Sequence, residues 1–296
     1  MFKPIKNFNA SDSKSYRPDI DGLRALAVIA VILYHADTPF FDGGFVGVDI
    51  FFVISGYLIT TIILKEQDLR TFTLLNFYFR RARRIIPAII FVISVCIPIA
   101  WFVLGPRDMK DFAQSVGSAM TFSSNLLFLR ESGYFDQSVE YKPLLHTWSL
   151  SVEEQFYAIY PLILISIVSI GTKFKLLILM ILSSISIYLF LDYSVYDPIA
   201  AFYLIISRGW ELLVGAIAAI VARNYALNIS NVVSQILSLV GLLLIFYAIA
   251  FFNSTSWNTP LLIFIPVLGA VLLILFCRRN TLIGYFLCSS IIVKMG

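Results

Sequence analysis

The stretch FVGVDIFFVISGYLITTIIL, residues Phe45–Leu64, decides the fold class of this chain. It is 20 residues long and contains one charged side chain, Asp49. A bilayer with a hydrocarbon core about 30 Å thick is crossed by roughly 20 apolar residues in a helix. This stretch therefore predicts a transmembrane helix.

The composition extends this prediction to the whole chain. Hydrophobic residues make up 59% of the 296 residues and charged residues 14%, with a mean hydropathy of +0.87. Soluble domains are roughly 45–50% apolar and about 25% charged, so a water-soluble globule is excluded and the lipid bilayer is an expected partner. The net charge of +4 is too small to indicate a nucleic-acid partner. The cysteines Cys96, Cys277 and Cys288 lack paired spacing and are interpreted as small hydrophobic residues.

Nine further low-charge apolar runs follow the same pattern along the chain. They are Leu23–Ala36, Ile85–Leu104, Phe112–Leu129, Leu150–Ile170, Leu176–Leu191, Tyr203–Ala222, Val232–Phe252, Pro260–Cys277 and Leu282–Val293. The last of them is about as long as half a crossing. The sequence is therefore expected to be truncated at its C-terminus.

The run Phe112–Leu129 is too rich in serine, threonine, glutamine and asparagine to face lipid well. If it does not cross, 15 basic residues lie inside and 4 outside, whereas a crossing changes these counts to 12 and 7. Because cytoplasmic segments collect Lys and Arg, the first arrangement is favoured. We therefore predict an all-α, polytopic transmembrane bundle of about eight complete spans and a partial ninth. The N-terminus is cytoplasmic, and residues 105–149 form an outer loop with an interfacial or re-entrant helix.

Charged groups within a membrane are costly, and they are therefore the first functional candidates. Arg24 and His35 are eleven residues apart, which is about three helical turns, so they share one face of the first span. Along the helix axis they are separated by about 16 Å. Alternatively, Arg24 extends to the cytoplasmic surface and His35 ends the helix on the outer side.

Two carboxylates are predicted to reach the depth of His35. Asp49 enters the second span from the outside, where it could orient the imidazole or only complement the helix dipole. In the fourth span Ser149 is predicted to cap the helix. Glu153 is favoured over Glu154 because Glu153 lies on one helix stripe with Ser149 and Tyr160.

Two further sets of charged residues have a structural interpretation beside the functional one. Arg208 and Glu211 are spaced for an ion pair within one helix. Arg80, Arg81 and Arg84 lie in a predicted inner loop and could bind phosphate, or could bind anionic lipid and fix the topology. No metal site is predicted, because the chain has two histidines 111 residues apart without a plausible third ligand.

Four ordered motifs carry a family resemblance. They are YRPDIDGLRALA at residues 16–27 with His35 following, GFVGVDIFFVISGYLI at 44–59, RRARRIIP at 80–87 and WSLSVEEQFY at 148–157. Together they resemble the acyltransferase-3 family, the membrane O-acyltransferases of bacterial surface polysaccharides, O-antigen and peptidoglycan. The motifs cover residues 16 to about 160. The remainder matches mainly as apolar spans.

The resemblance implies that residues 17–296 form an acyltransferase-3-like transmembrane domain in the inner or plasma membrane, after a cytoplasmic tail at residues 1–16. It implies acyl-CoA as the cytoplasmic donor substrate and a polysaccharide or glycolipid hydroxyl as the outer acceptor, with no permanently bound cofactor. Arg24 and His35 match the essential pair, and Glu153 matches the acidic position. Arg80, Arg81 and Arg84 match the basic motif. Many members also carry an SGNH-hydrolase-like domain after the spans.

The expected mechanism assigns His35 as the general base that takes the acceptor proton. Glu153 or Asp49 would orient the imidazole and stabilise its protonated form. A transient acyl-histidine is also chemically possible, and the sequence does not separate the two routes. The rival functions are a transporter or flippase, which inverted repeats would favour, and a non-catalytic scaffold.

Overall fold

The computed structural model describes residues 16–132, 142–225, 229–253 and 260–296. Every regular element within these ranges is helical, which confirms the all-α prediction. The predicted cytoplasmic tail lies outside the described residues except for Tyr16. The helices are α1 (Pro18–His35), α2 (Gly47–Asp68), α3 (Leu74–Val103), α4 (Pro106–Met120), α5 (Ser124–Glu131), α6 (Thr147–Ser166), α7 (Thr172–Tyr196), α8 (Pro198–Tyr203), α9 (Ile205–Asn224), α10 (Asn231–Phe251), α11 (Phe264–Phe276), α12 (Leu282–Leu287) and α13 (Ser290–Met295).

Five helical segments in the described part of the chain are long and apolar enough to cross a membrane. They are Gly44–Asp68, Leu74–Val103, Thr172–Tyr196, Pro198–Asn224 and Asn231–Phe251. The multi-pass character predicted from the sequence is thus supported. The count of eight complete spans and a partial ninth stays a prediction.

The centre of the bundle is the contact between α2 and α9. Gly56 of α2 lies against the carbonyl of Leu212, and Gly215 of α9 lies against the carbonyl of Val53. A Cβ atom at either glycine would overlap the facing backbone, so these two residues allow the helices to approach closely. Small residues serve this purpose in membrane helix packing because backbones must meet for dispersion contacts to accumulate.

The helix α3 has the opposite character, since most of its apolar side chains face outward. Trp101 is 73% exposed and Phe102 is 87% exposed. Such a surface is suited to lipid. The helix also begins at Leu74, where the Thr73 hydroxyl accepts a hydrogen bond from the Asn76 amide at 3.3 Å, rather than at the predicted Ile85. The basic motif therefore belongs to a helix, and its prediction as a loop was wrong.

The polar run Phe112–Leu129 does not form one continuous helix. It is divided between α4 and α5 at Phe122, whose φ is 53°. The α4 helix packs back along α3, and the Phe122 carbonyl accepts a hydrogen bond from the Gln155 side chain at 3.0 Å. Gln155 is the ninth residue of α6, about 12 Å from its start. The choice between an interfacial and a re-entrant helix for this hairpin of α4 and α5 stays a prediction.

The predicted run Tyr203–Ala222 starts at the last residue of α8, and the rest of it, from Ile205 onward, lies in the continuous helix α9. The final run Leu282–Val293, predicted as a partial span, consists of two helices of six residues that pack against α1. Gly22 of α1 lies against the Leu287 carbonyl in this contact.

We predict that Lys173 and Arg278 lie on the cytoplasmic side and Arg130 on the outer side, because this gives the larger basic asymmetry. Single cysteines introduced as Lys173→Cys, Arg278→Cys and Arg130→Cys, with Cys96, Cys277 and Cys288 replaced by Ala, can be labelled with an impermeant thiol reagent. Intact cells should be labelled only at position 130. Labelling of intact cells at position 173 would contradict the predicted topology.

Candidate active site

His35 is the last residue of α1, and its ring is exposed at that end of the bundle, which we call the histidine end. Its Nδ1 lies 2.8 Å from the carbonyl oxygen of Val31, one turn earlier. Because a carbonyl only accepts hydrogen bonds, Nδ1 carries the proton in this contact. The lone pair of a neutral His35 ring is then on Nε2. This is the tautomer that a base acting through Nε2 requires.

His146 packs against His35, with ring centroids 4.5 Å apart and planes at 87°. Removal of water by the surrounding protein lowers the pKa of His146, and the charge of His35 lowers it further. His146 lies within the predicted outer loop at residues 105–149, and its contact with His35 was not predicted. The sequence signal that could have indicated this contact is the position of His146 directly before α6. This start of α6 lies at the same end of the bundle as the C-terminus of α1. The helix begins at Thr147, so the prediction that Ser149 caps it was wrong.

Asp49 is completely buried, but its partner is Arg208 and not His35. Arg208 is also paired with Glu211, with Nε 3.1 Å from Oε1. The predicted ion pair within α9 is therefore present. The same guanidinium group also pairs with a second carboxylate, that of Asp49 in α2. All three side chains are buried within the bundle. Asp49 consequently connects α2 to α9.

Aromatic rings enclose the buried Arg208. Its guanidinium carbon lies 5.5 Å from the ring centroid of Phe52, 5.9 Å from Trp148 and 5.8 Å from Phe202. These distances are within the range of cation–π attraction. Arg208 thus connects α2, α6 and α9 through both charge and aromatic contacts.

Glu153 lies deeper in the bundle than His35. It is seven residues after His146, about 10 Å along α6. Its Oε1 accepts a hydrogen bond from the Ser55 hydroxyl at 2.5 Å, and it interacts electrostatically with Arg81 and Arg24. Glu153 was predicted at the depth of His35, whereas it interacts with Arg24, which lies eleven residues before His35 on α1. Within the described ranges neither Glu153 nor Asp49 bonds to His35, so the expected carboxylate partner of His35 is replaced by the Val31 carbonyl.

Glu154 and Arg81 face a cavity of about 270 Å³ between α3, α6 and the tip of the α4–α5 hairpin. The Arg81 guanidinium carbon lies 4.0 Å from the ring centroid of Tyr157. One buried carboxylate oxygen of Glu154, Oε1, has no hydrogen-bond partner among the residues that the structure describes. Thr121, Phe122 and Gln155 also line this cavity. Glu153 was predicted over Glu154 as the functional carboxylate, but of the two it is Glu154 that lines this cavity.

The three arginines of the basic motif point in different directions. Arg80 is exposed and paired with Glu66 at 2.7 Å, and Arg84 is exposed one turn later. Arg81 instead points into the bundle, toward Tyr157. These residues lie at the end of the bundle where α1 begins, which we call the arginine end. The motif thus has an exposed part and an interior part.

The fold and the site together define a multi-pass helical membrane protein with polar groups held inside its bundle. The family model described as an acyltransferase domain matches residues 17–294, and the chain belongs to this acyltransferase-3 family. The resemblance inferred from the four motifs is thereby confirmed.

Curated relatives agree with this assignment. The chain is 35% identical over 266 residues to the Staphylococcus aureus protein named "Putative O-acetyltransferase SAS0844", covering 85% of this chain and 43% of that protein. It is 33% identical over 250 residues to O-acetyltransferase OatA of the same species, covering 81% of this chain and 41% of OatA. The chain therefore spans less than half the length of these relatives. No solved structure matches it.

Proposed function

We propose that this chain is a membrane-embedded O-acyltransferase that moves an acetyl group from cytoplasmic acyl-CoA to a hydroxyl group of a cell-surface glycan. The family match and the relatives named as O-acetyltransferases support the reaction class. The observation that carries the proposal is His35, whose Nδ1 is bound to the Val31 carbonyl so that Nε2 is the basic nitrogen. A neutral imidazole accepts a proton near pH 7.

In the proposed reaction, the acceptor hydroxyl oxygen attacks the thioester carbonyl carbon while Nε2 of His35 takes the hydroxyl proton. The carbon–sulfur bond then breaks, and the proton on His35 passes to the departing thiolate. The ester and free CoA are the products, and His35 returns to its neutral form. A positioned general base typically contributes about 10²- to 10⁴-fold to such a rate.

The other residues have positioning roles in this proposal. Arg24, Glu153 and Arg81 lie nearer to the arginine end than His35 does. They would line the path of the pantetheine arm of acyl-CoA, whose amide groups can hydrogen-bond to them. Asp49 would act through Arg208 by fixing α2 against α9. His146 would hold the His35 ring through the contact between the two rings.

Arg80 and Arg84 would bind phosphate groups of the donor from the exposed side of α3. We expect Arg80→Ala combined with Arg84→Ala to raise the Kd for acetyl-CoA at least tenfold while protein abundance stays near normal. Isothermal titration of the purified protein measures this change. Lys65→Ala, which removes a cation from the preceding helix, is the matched control. Equal donor affinity in the double variant would support the alternative role as a lipid anchor.

A further inference from the structure

A second charged cavity lies at the arginine end, apart from the basic motif of α3. Its volume is about 420 Å³, and it is bounded by the residues before α1, the end of α9 and the end of α11. The polar residues that line it are Tyr16, Arg17, Asp19, Tyr225, Arg278 and Arg279. The residues of this cavity, which we call the inner pocket, have no role in the steps described above.

The inner pocket has a rigid wall. The Arg17 side chain donates to Asp19 at 2.5 Å, to the Tyr57 hydroxyl at 3.0 Å and to the Ile274 carbonyl at 2.9 Å. Arg17 thus fastens the start of α1 to α2 and α11. Asp19, the carboxylate that lines the pocket, is already neutralised by this contact.

The remaining lining favours an anion attached to a flat or apolar group. Three arginines against one aspartate give the pocket a positive charge. The guanidinium group binds phosphate through paired donors. Tyr16 and Tyr225 are 56% and 42% exposed, so their rings are accessible at the mouth.

The position of the pocket relates it to the rest of the bundle. Arg17 directly precedes α1, and Arg24 and His35 follow on this helix, eleven residues or about three turns apart. A ligand in the inner pocket therefore lies at the start of the helix that carries Arg24 and His35.

We propose that the inner pocket binds a phosphoryl group. Two sources have this chemistry: the nucleotide end of acyl-CoA, whose phosphates would then lie here and not at Arg80 and Arg84, and the headgroup of an anionic phospholipid. The assignment of the nucleotide as the ligand rests on the proposed function, whereas the proposal that the pocket binds a phosphoryl group does not. In either case the arginines hold the phosphate, and for a nucleotide the tyrosines contact the base.

The experiment measures binding to the purified chain in detergent with two probes. Adenosine 3′,5′-bisphosphate represents the nucleotide, and short-chain phosphatidylglycerol represents the lipid, with phosphatidylcholine as its comparison. Arg279→Glu should raise the Kd of the bound probe at least tenfold, because one charge-assisted contact is lost and a repulsion is added. Arg279→Lys should retain most of the affinity. Lys173→Glu reverses an exposed charge outside the pocket and should have no effect.

Tyr225→Ala separates the two sources, since it should weaken the nucleotide probe and leave the lipid probe unchanged. The melting temperature without ligand shows whether each variant is folded. The proposal would be overturned if folded Arg279→Glu bound both probes with wild-type affinity. It would also be overturned if neither probe bound to the wild-type protein. None of these readouts requires turnover, so failure of the acetyltransferase proposal would be seen separately in the His35 variants.

Discussion

Replacing His35 by Ala is expected to abolish acetylation of surface glycan in cells whose only copy of the protein carries this change. The change removes the Nε2 lone pair that the proposed reaction uses as its base. The rate should fall by at least about 10²- to 10⁴-fold, which takes cellular acetylation below detection. Mass analysis of the glycan measures the effect, and membrane abundance is measured alongside it.

Two further variants show whether the effect is chemical. His35→Gln keeps a hydrogen-bonding side chain but cannot take up a proton, so it should be equally inactive. His146→Ala removes the neighbouring ring, which is 4.5 Å from His35 between centroids, and leaves the base itself in place. Its loss should therefore be smaller than that of His35→Ala. Full acetylation by a well-expressed His35→Ala protein would contradict the proposed mechanism.

The largest effect on stability is expected at the buried charge cluster of Asp49, Arg208 and Glu211. Arg208→Met keeps a long apolar side chain but leaves two carboxylates without their cation. Breaking a buried ion pair by removing one partner costs about 3–5 kcal/mol. We expect a large fall in the unfolding temperature and loss of monodisperse protein in detergent, measured by size-exclusion chromatography with fluorescence detection after heating.

The matched control is Arg223→Met on the same helix. Arg223 is paired with Asp68, but both side chains are substantially exposed, so its removal should cost about 0–1 kcal/mol. Combining Arg208→Met with Asp49→Asn and Glu211→Gln should recover part of the lost stability, since no uncompensated charge then remains. Equal unfolding temperatures for Arg208→Met and Arg223→Met would show that the buried cluster does not hold α2 and α9 together.

The helical fold could be predicted because its signal is local. Runs such as Phe45–Leu64 and Val232–Phe252 are long and apolar, and helices α2 and α10 cover nearly the same residues. The start of α3 was missed because four arginines interrupt the apolar pattern without interrupting the helix. Hydropathy reports where lipid contacts a helix, whereas Thr73 and its hydrogen bond to Asn76 determine where this helix begins.

The site could be predicted only in part. The position of a residue along its own helix does not show which residues of other helices it contacts. Arg24 and His35 both lie on α1, as predicted, and the motif around Glu153 led to a residue that interacts with Arg24. The partner of Asp49 was missed because Arg208 is 159 residues away and a pairing within α9 already satisfied the pattern. His146 was missed for a similar reason, because its contact with His35 depends on how α1 and α6 pack.

The central claim is tested most directly by acetyl transfer from radiolabelled acetyl-CoA with purified wild-type and His35→Gln proteins, with donor binding measured on the same samples. The account predicts that both proteins bind the donor with similar affinity and that only the wild type transfers the acetyl group to a glycan acceptor. Transfer at the wild-type rate by His35→Gln would contradict the assignment of His35 as the general base.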